Sequence, residues 1–435
     1  MSTEPADGTP RNPYRVNAPE DILSLIPHTL GFEPRSSLVF LALCGGRVGA
    51  TLRVDLPPGA AAKSGTNGAY AATAARFLAS DTEADGVLMA MYTEAPWRDP
   101  AHPPYRPLVR RLEKELAAAG VPLQDGWLVG PETWRDYFCT RTDCCPWPGT
   151  PRSRIADSRL NTELVYRGSA FAASIERAVG ESFPGQWTNQ QEVAAAQARF
   201  VEQLAGQWCE REQFQATLEA WSDCFGAAAP AGGAPPAGGP TPGSPHGDRL
   251  HSDPEGTGFL LASLGDRGIR DALLVLAAVG KGPALEGAEA NGMLRRQDHP
   301  PVRPGGAPRD AFPAESGAVP LLPRPRRHAA ADFRSLLVGR GPSAPDWARL
   351  DRAHAVFTDL VPAAEGDVRA GLLSLLAWIE WARGRGSRAH VYLERALEAC
   401  PGYRLALLLR ELLGTGVLPD WARTREGSWP GNRDG

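Results

Sequence analysis

The sequence predicts an α/β fold, a mixed sheet with helical cover, followed by an α-helical C-terminal region with repeat-like helix pairs. Three observations carry this expectation. As far as residue 158, short apolar or alternating runs separate stripes of helical period, the pattern of strands joined through helices. From residue 159 onward, apolar residues recur almost only at helical spacing. Near the C-terminus, Leu372, Leu373, Leu376 and Ala377, then Ala389, Leu393 and Ala396, mark two helices whose small residues permit close approach.

In chain order, residues 1–18 are polar and read as a disordered tail, and 19–158 as a mixed α/β domain. Asn17 is placed to cap a helix over 19–30 that Gly31 ends. Residues 38–43 read as a buried strand and Gly45-Gly46 as a two-residue turn. The next run alternates, with Val48, Ala50, Leu52, Val54 and Leu56 on one face and Arg47, Thr51, Arg53 and Asp55 on the other, giving a hairpin with one wet face. A helix over 69–80, a buried strand over 86–92, and a helix striped by Leu108, Leu112 and Leu116 follow, with Gly120 ending the last. Strands over 121–129 and 133–139 complete the domain. Because the crossovers pass through helices, the middle strands should be parallel and the outer hairpins antiparallel.

Residues 159–226 read as a helical extension, with helices over 170–179 and 189–225; Trp187, Phe200, Leu204, Trp208, Phe214, Leu218 and Trp221 form its core stripe. Residues 227–257 carry almost no bulky apolar side chain and read as a flexible linker, because such a tract cannot offset its ordering entropy. A helix over 258–280 follows, then a second linker over 281–330 with a solvated basic patch at Arg324, Arg326, Arg327 and His328. Residues 331–418 read as the helical repeat-like domain, with flanking helices over 346–361 and 403–413, and 419–435 as a tail.

Composition narrows the function classes. The 435 residues carry 46 Lys and Arg against 50 Asp and Glu, so no basic field exists to attract nucleic acid. Lys63, Lys114 and Lys281 are the only lysines, a bias toward arginine that reads as codon usage. The longest apolar runs, 38–44 and 272–279, fall far short of the ~20 residues that span a bilayer. The N-terminus lacks the charged-then-apolar pattern of a signal peptide. The expectation is a cytoplasmic protein with neither a membrane nor a nucleic-acid partner; the sequence leaves the oligomeric state open. An odd set of seven cysteines argues against a disulfide framework.

Chemistry is legible at one place, Tyr137-Phe138-Cys139-Thr140-Arg141-Thr142-Asp143-Cys144-Cys145-Pro146-Trp147-Pro148-Gly149-Thr150-Pro151. Four readings apply to Cys139, Cys144 and Cys145. Buried structural thiols lead, since free cysteine is among the most buried residue types. A redox pair of Cys139 and Cys144 across a turn is the second, with Arg141 placed to lower a thiol pKa. A metal site is the third; zinc takes four ligands, a second knuckle is missing, and adjacent cysteines point apart in extended chain, so His28 or His102 would have to arrive from elsewhere as a ligand. A catalytic nucleophile is the fourth and needs a base, for which His28 is the candidate. His28 itself reads first as a side chain bonding the last carbonyls of its helix. Arg53 with Asp55 reads as a solvated pair and Arg270 with Asp271 as an interhelix bridge. No phosphate-loop, dinucleotide, serine-hydrolase or zincin motif occurs, so no cofactor is expected.

Several segments in this order carry a resemblance: Asp21-Ile22-Leu23-x2-Ile26-Pro27-His28-x-Leu30-Gly31-Phe32-x-Pro34-x2-Ser37-Leu38, Leu52-Arg53-x-Asp55-Leu56, Cys139 with Cys144-Cys145-Pro146-x2-Gly149-Thr150-Pro151, Arg270-Asp271-Ala272, and Arg395-Ala396-x4-Pro401-x-Tyr403-Arg404-Leu405-Ala406. The chain resembles the actinobacterial family known as domain of unknown function 4192, which implies a fold and no activity. Within it, Ala389-x3-Leu393-x2-Ala396-x4-Pro401 resembles the second helix of a tetratricopeptide repeat, with Glu380 in place of the usual aromatic of the first helix. The leading functional expectation is a regulatory or adaptor module with a protein partner. The alternatives are a cysteine-dependent enzyme or redox sensor centred on residues 139–145, and a small-ligand-binding α/β domain using the polar ends of its parallel strands.

Overall fold

Side-chain alternation along three strands sets the architecture of the first part of the chain. The computed structural model describes residues 16, 18–57, 64–141, 143–180, 183, 185, 187–226, 250–305, 327–341, 343–424 and 426–430. These divide into two compact units, the boundary falling between Ala178 and Val179. The first contains α1 (Pro19–Leu30), β1 (Ser37–Cys44), β2 (Arg47–Asp55), α2 (Ser64–Leu78), β3 (Gly86–Tyr92), α3 (Arg106–Ala118), β4 (Leu123–Val129), β5 (Thr133–Asp136), β6 (Thr150–Pro151), α4 (Ser153–Ala156) and α5 (Arg159–Tyr166). Leu38 and Phe40 of β1, Val87, Met89 and Met91 of β3, and Leu128 of β4 meet the apolar faces of α2 and α3. Their neighbours Val39, Leu41, Ala90, Tyr92, Trp127 and Val129 face the other way, onto Leu23 and Ile26 of α1. Both faces are therefore buried in a three-layer arrangement, which is why these strands read as continuous apolar runs.

The sheet is mixed, in the order β2-β1-β3-β4-β5-β6. Parallel pairing is confined to β3 and β4, while β1 is antiparallel to both β2 and β3. The expectation of parallel middle strands fails at β1–β3. The crossover through α2 leaves from β2 and passes over β1, so β3 runs parallel to β2 with β1 between them. As an edge strand, β2 also differs from its one-sided pattern: Val48 and Ala50 are exposed, and the core is reached by Leu52, Val54 and Leu56. The two-residue turn is as read, with Gly45 at φ 57° and Gly46 at φ 80°, values that β-carbons disfavour. Helix α1 has Ala18 at its N-cap with no side-chain bond, and Asn17 lies outside the described residues.

Past α6 (Ile175–Gly180), the second unit is helical: α7 (Gln190–Gln203), α8 (Arg211–Gly226), α9 (Pro254–Ser263), α10 (Arg267–Val279), α11 (Lys281–Ala290), α12 (Ala329–Leu337), α13 (Trp347–Leu360), α14 (Gly366–Ala382), α15 (Gly386–Ala399) and α16 (Arg404–Gly414). Three sequence expectations are corrected here. The long helix over 189–225 is two helices, broken at 204–210, where Glu210 turns its carboxylate to the N–H groups of Asp298 and His299 at 3.2 and 3.0 Å. The helix over 258–280 is likewise two, because Asp266 caps α10 by accepting from the N–H groups of Gly268 and Ile269. Residues 281–305, expected within a linker, hold α11 and then an ordered strap: Arg295 N donates to Cys209 O at 2.7 Å and Val302 N to Gln213 Oε1 at 2.7 Å. Side-chain acceptors of α8 and its approach supply the order that the strap's composition does not. The tracts over 1–15 and 227–249 and the patch residues Arg324 and Arg326 lie outside the described residues.

Helices α14 and α15 form a tight pair, joined across residues 383–385, and Ala389, Leu393 and Ala396 are fully buried in it. Glu380, 1% exposed, sits at its end among three guanidinium groups, Arg383 at 2.6 Å, Arg388 at 3.4 Å and Arg385 at 3.9 Å, with the His354 imidazole at 3.1 Å. Asp351 takes Arg383 at 2.5 Å, and Trp429 bonds Asp351 while its ring covers Arg383 and Arg385. No described helix is long and apolar enough to cross a membrane.

Candidate functional site: three thiols on an edge loop

The loop over 137–149 connects β5 to β6 at the sheet edge, where Thr133 pairs with Pro151 and Trp134 with Thr150. Strand β5 stops at Asp136 rather than running to residue 139, because the Asp136 carboxylate accepts the N–H groups of Phe138 and Cys139 at 2.8 and 2.9 Å. Such an aspartate turn competes with the strand ladder and sends the chain outward. Cys145 N then donates to Arg141 O at 3.1 Å, folding the chain back on itself.

The loop is pinned from beneath by Arg135, 3% exposed on β5. Its guanidinium donates to Pro146 O at 2.7 Å and to Cys139 O at 3.4 Å, one carbonyl on each side of the turn. The same group lies over the rings of Trp97 and Trp147 at 5.6 and 5.4 Å, where cation–π attraction adds to the hydrogen bonds. Gly149 completes the return: a β-carbon there would stand 2.7 Å from Trp134 O.

This scaffold converges the three sulfurs. Cys139 Sγ is 3.2 Å from Cys144 Sγ, Cys144 Sγ is 3.8 Å from Cys145 Sγ, and all three lie within 4.8 Å of one another. Two expectations fall. The thiols are not core: Cys144 is exposed and Cys139 and Cys145 are half-buried. Nor do Cys144 and Cys145 diverge, since they occupy a turn rather than extended chain. The Cys144 thiol, then the Arg141 backbone, holds the Cys139 thiol below its ordinary value, whereas burial pushes the Cys145 thiol up to about 12. Arg141 is engaged with Asp143.

Beside Cys139 opens a cleft of ≈ 370 Å³ lined by Glu113, Leu123, Gln124, Asp125, Asp136 and Phe138. It lies at the N-terminal end of β4, opposite the strand ends that open α/β sheets use for ligands. Burial, and next the neighbouring Asp136, push the Asp125 carboxyl up.

His28 is elsewhere. Its Nδ1 meets Ser169 Oγ and its Nε2 meets Asn161 Oδ1, both at 2.9 Å, and Phe171 packs edge-on at 4.8 Å. It neither bonds the last carbonyls of α1 nor joins the thiol cluster, so a cysteine–histidine arrangement is not assembled. Arg53 and Asp55 pair at 2.5 Å, as expected, but only Asp55 is solvated: the Arg53 side chain is largely buried and lies over the Phe32 ring at 5.8 Å. Arg270 does bridge helices, bonding Asp271 and reaching Tyr403 Oη at 3.1 Å. Sequence reasoning missed Arg135 and Trp97, whose part depends on contacts across the fold; the Trp147 of the cysteine segment was their only local signal.

A mixed α/β sheet unit bearing an edge loop of three converging thiols, with a helical unit following in the chain, defines the class of protein. The chain belongs to the family described as Domain of unknown function (DUF4192), whose model matches residues 19–293 and 345–420. No curated protein and no solved structure matches the chain.

Proposed function

We propose that residues 139–145 form a redox-active thiol site in a cytoplasmic protein, with Cys139 and Cys144 cycling between dithiol and disulfide. The observation that carries this reading is the 3.2 Å approach of Cys139 Sγ to Cys144 Sγ at the protein surface. A hydroperoxide is the oxidant by chemical class. The Cys139 thiolate attacks the peroxide oxygen, the O–O bond breaks, and an alcohol or water leaves. Cys144 then attacks the resulting sulfenic sulfur and expels water, so two thiols and one peroxide give one disulfide. Cys139 takes the first step because it lines the cleft that a small hydroperoxide can enter. In a reducing compartment the pair rests as dithiol. On peroxide treatment of the reduced chain, one disulfide linking Cys139 and Cys144 should form and be recovered by peptide mapping. Cys144→Ser should instead trap a sulfenic acid at Cys139. A map that leaves both residues as thiols sinks the reading.

A second reading, a regulatory or adaptor surface for a protein partner, is favoured by an apolar strip left open at the end of the helical unit. Leu407 and Leu408 of α16 and Val417 beyond it are 37%, 51% and 38% exposed. The α14–α15 pair with its buried small residues is read here as tetratricopeptide-like, and an end helix with an open apolar strip departs from the polar cap such units need for solubility, which favours a covering partner. Leu408→Glu should reduce binding of an apolar-patch dye without moving the helical melt. Unchanged dye binding would remove this surface from consideration.

A further inference from the structure

We infer that the loop is also a metal site, in which Cys139, Cys144 and Cys145 together bind one zinc(II) ion through three thiolates and leave the fourth position open. The inference rests on the same thiol loop as the redox reading, but it turns on Cys145, which that chemistry does not use. All three sulfurs lie within 4.8 Å of one another. Zinc–sulfur bonds of about 2.3 Å in a tetrahedron set sulfur–sulfur edges of about 3.8 Å. The Cys144–Cys145 separation of 3.8 Å already matches such an edge. The Cys139–Cys144 pair, at 3.2 Å, opens by about half an ångström to accept the ion.

Three features beyond the sulfurs have the character of a supporting shell. Asp136 fixes the backbone of Cys139, the Arg141 carbonyl fixes that of Cys145, and Arg135 clasps carbonyls on both flanks of the turn. Outer partners of this kind orient metal ligands before the ion arrives. Three thiolates around a divalent ion leave one net negative charge, and the Arg135 guanidinium, bonded to loop carbonyls on both flanks, is the cation held beneath the loop to meet it, Arg141 being paired with Asp143. An all-thiolate set selects a soft or borderline cation over calcium or magnesium. Because three protein ligands leave a position free, the fourth is open to water or an external thiol, as in zinc sites that do chemistry. Peroxide oxidation of the Cys139–Cys144 pair removes two of the three ligands and releases the ion, so metal occupancy and redox state are linked.

The test is a cobalt(II) titration of the reduced, metal-free full chain, followed by displacement with zinc(II). One equivalent should produce a thiolate-to-cobalt charge-transfer band that zinc abolishes. Cys145→Ser should lose that band, while Cys209→Ser should keep it. Absence of the band at stoichiometric cobalt, or its full retention in Cys145→Ser, overturns the inference. Should Cys145→Ser fail to fold, alkylation of the wild-type chain decides: zinc must protect Cys139, Cys144 and Cys145 together, and an unprotected Cys145 overturns the inference. The two readings fail separately. If Cys145→Ser still forms the Cys139–Cys144 disulfide and no form binds metal, the metal inference alone falls. If cobalt binds but peroxide yields no disulfide, the redox reading alone falls.

Discussion

Glu380 shows how a residue that breaks a pattern becomes the centre of another. Burial alone would raise its carboxyl, but the hydrogen bond with His354 and then the charges of Arg383 and Arg385 outweigh this and hold it well below the usual carboxylate range. Burial likewise holds His354 below its ordinary value, in the neutral form. Both groups bind fewer protons folded than unfolded, so both contribute stability at neutral pH that is lost on acidification. The helical unit should weaken as pH falls below ~6.5 through His354 and again below ~4.3 through Glu380. Denaturant titrations from neutral to acid pH check this, and stability that rises on acidification would contradict it. Glu380→Gln leaves three guanidinium groups facing a neutral amide and should cost roughly 3–5 kcal/mol, the range for removing one partner of a buried pair. It should also flatten the acid limb of the profile. Local pattern located Glu380 in a helix and marked it as anomalous, but its partner His354 lies a helix away, as does Asp351, which shares Arg383 with it, and Trp429, which bonds Asp351, lies far along the chain. His28 fails to read for the same reason: Asn161 and Ser169 arrive through α5 and the turn after it.

At the scale of elements, period was a reliable guide and partner geometry was not. Strand β3 and helix α1 fall where apolar period and their end signals place them, because both are set by local chemistry. The order β2-β1-β3 needed knowledge of which side of β1 the crossover lands on, and nothing local encodes that. The helix break at 204–210 was hidden because Leu204 and Trp208 keep the apolar stripe running through it, whereas the one at 264–266 carried a local signal, Gly265 followed by the cap Asp266, that the surrounding apolar run outweighed. Close packing across such breaks is exacting. At Gly258 of α9, a β-carbon would meet Ala196 Cβ at 2.5 Å and Gln197 N at 2.7 Å on α7. The obstacle is largely backbone, so Gly258→Ala should destabilise by about 1–3 kcal/mol despite the higher helix propensity of alanine. A thermal melt equal to or above that of the wild type would show that the two helices part at little cost. The thiol loop belongs to this scale too. Its cysteines were visible as a cluster, yet their convergence follows from the Asp136 turn and the Arg135 clasp, which composition does not announce.

For the molecule as a whole, the fold class was legible: a mixed sheet with helices, then a helical region with paired helices. Composition misled where side chains from distant segments supply order, as along 291–305, whose backbone is held by Glu210 and Gln213. The candidate site was legible as residue types and illegible as an environment, since a surface turn and a buried strand can carry the same cysteine spacing. The central claim is that the thiols over 139–145 form a working surface centre and are not structural. Residue-resolved alkylation of the native, reduced, metal-free chain, with limiting reagent and peptide mass analysis of all seven cysteines, tests it most directly. Cys144 and Cys139 should label ahead of Cys44, Cys209, Cys224 and Cys400, and their labelling should fall together after peroxide. Labelling of Cys139 and Cys144 that begins only when the chain is denatured would contradict the account.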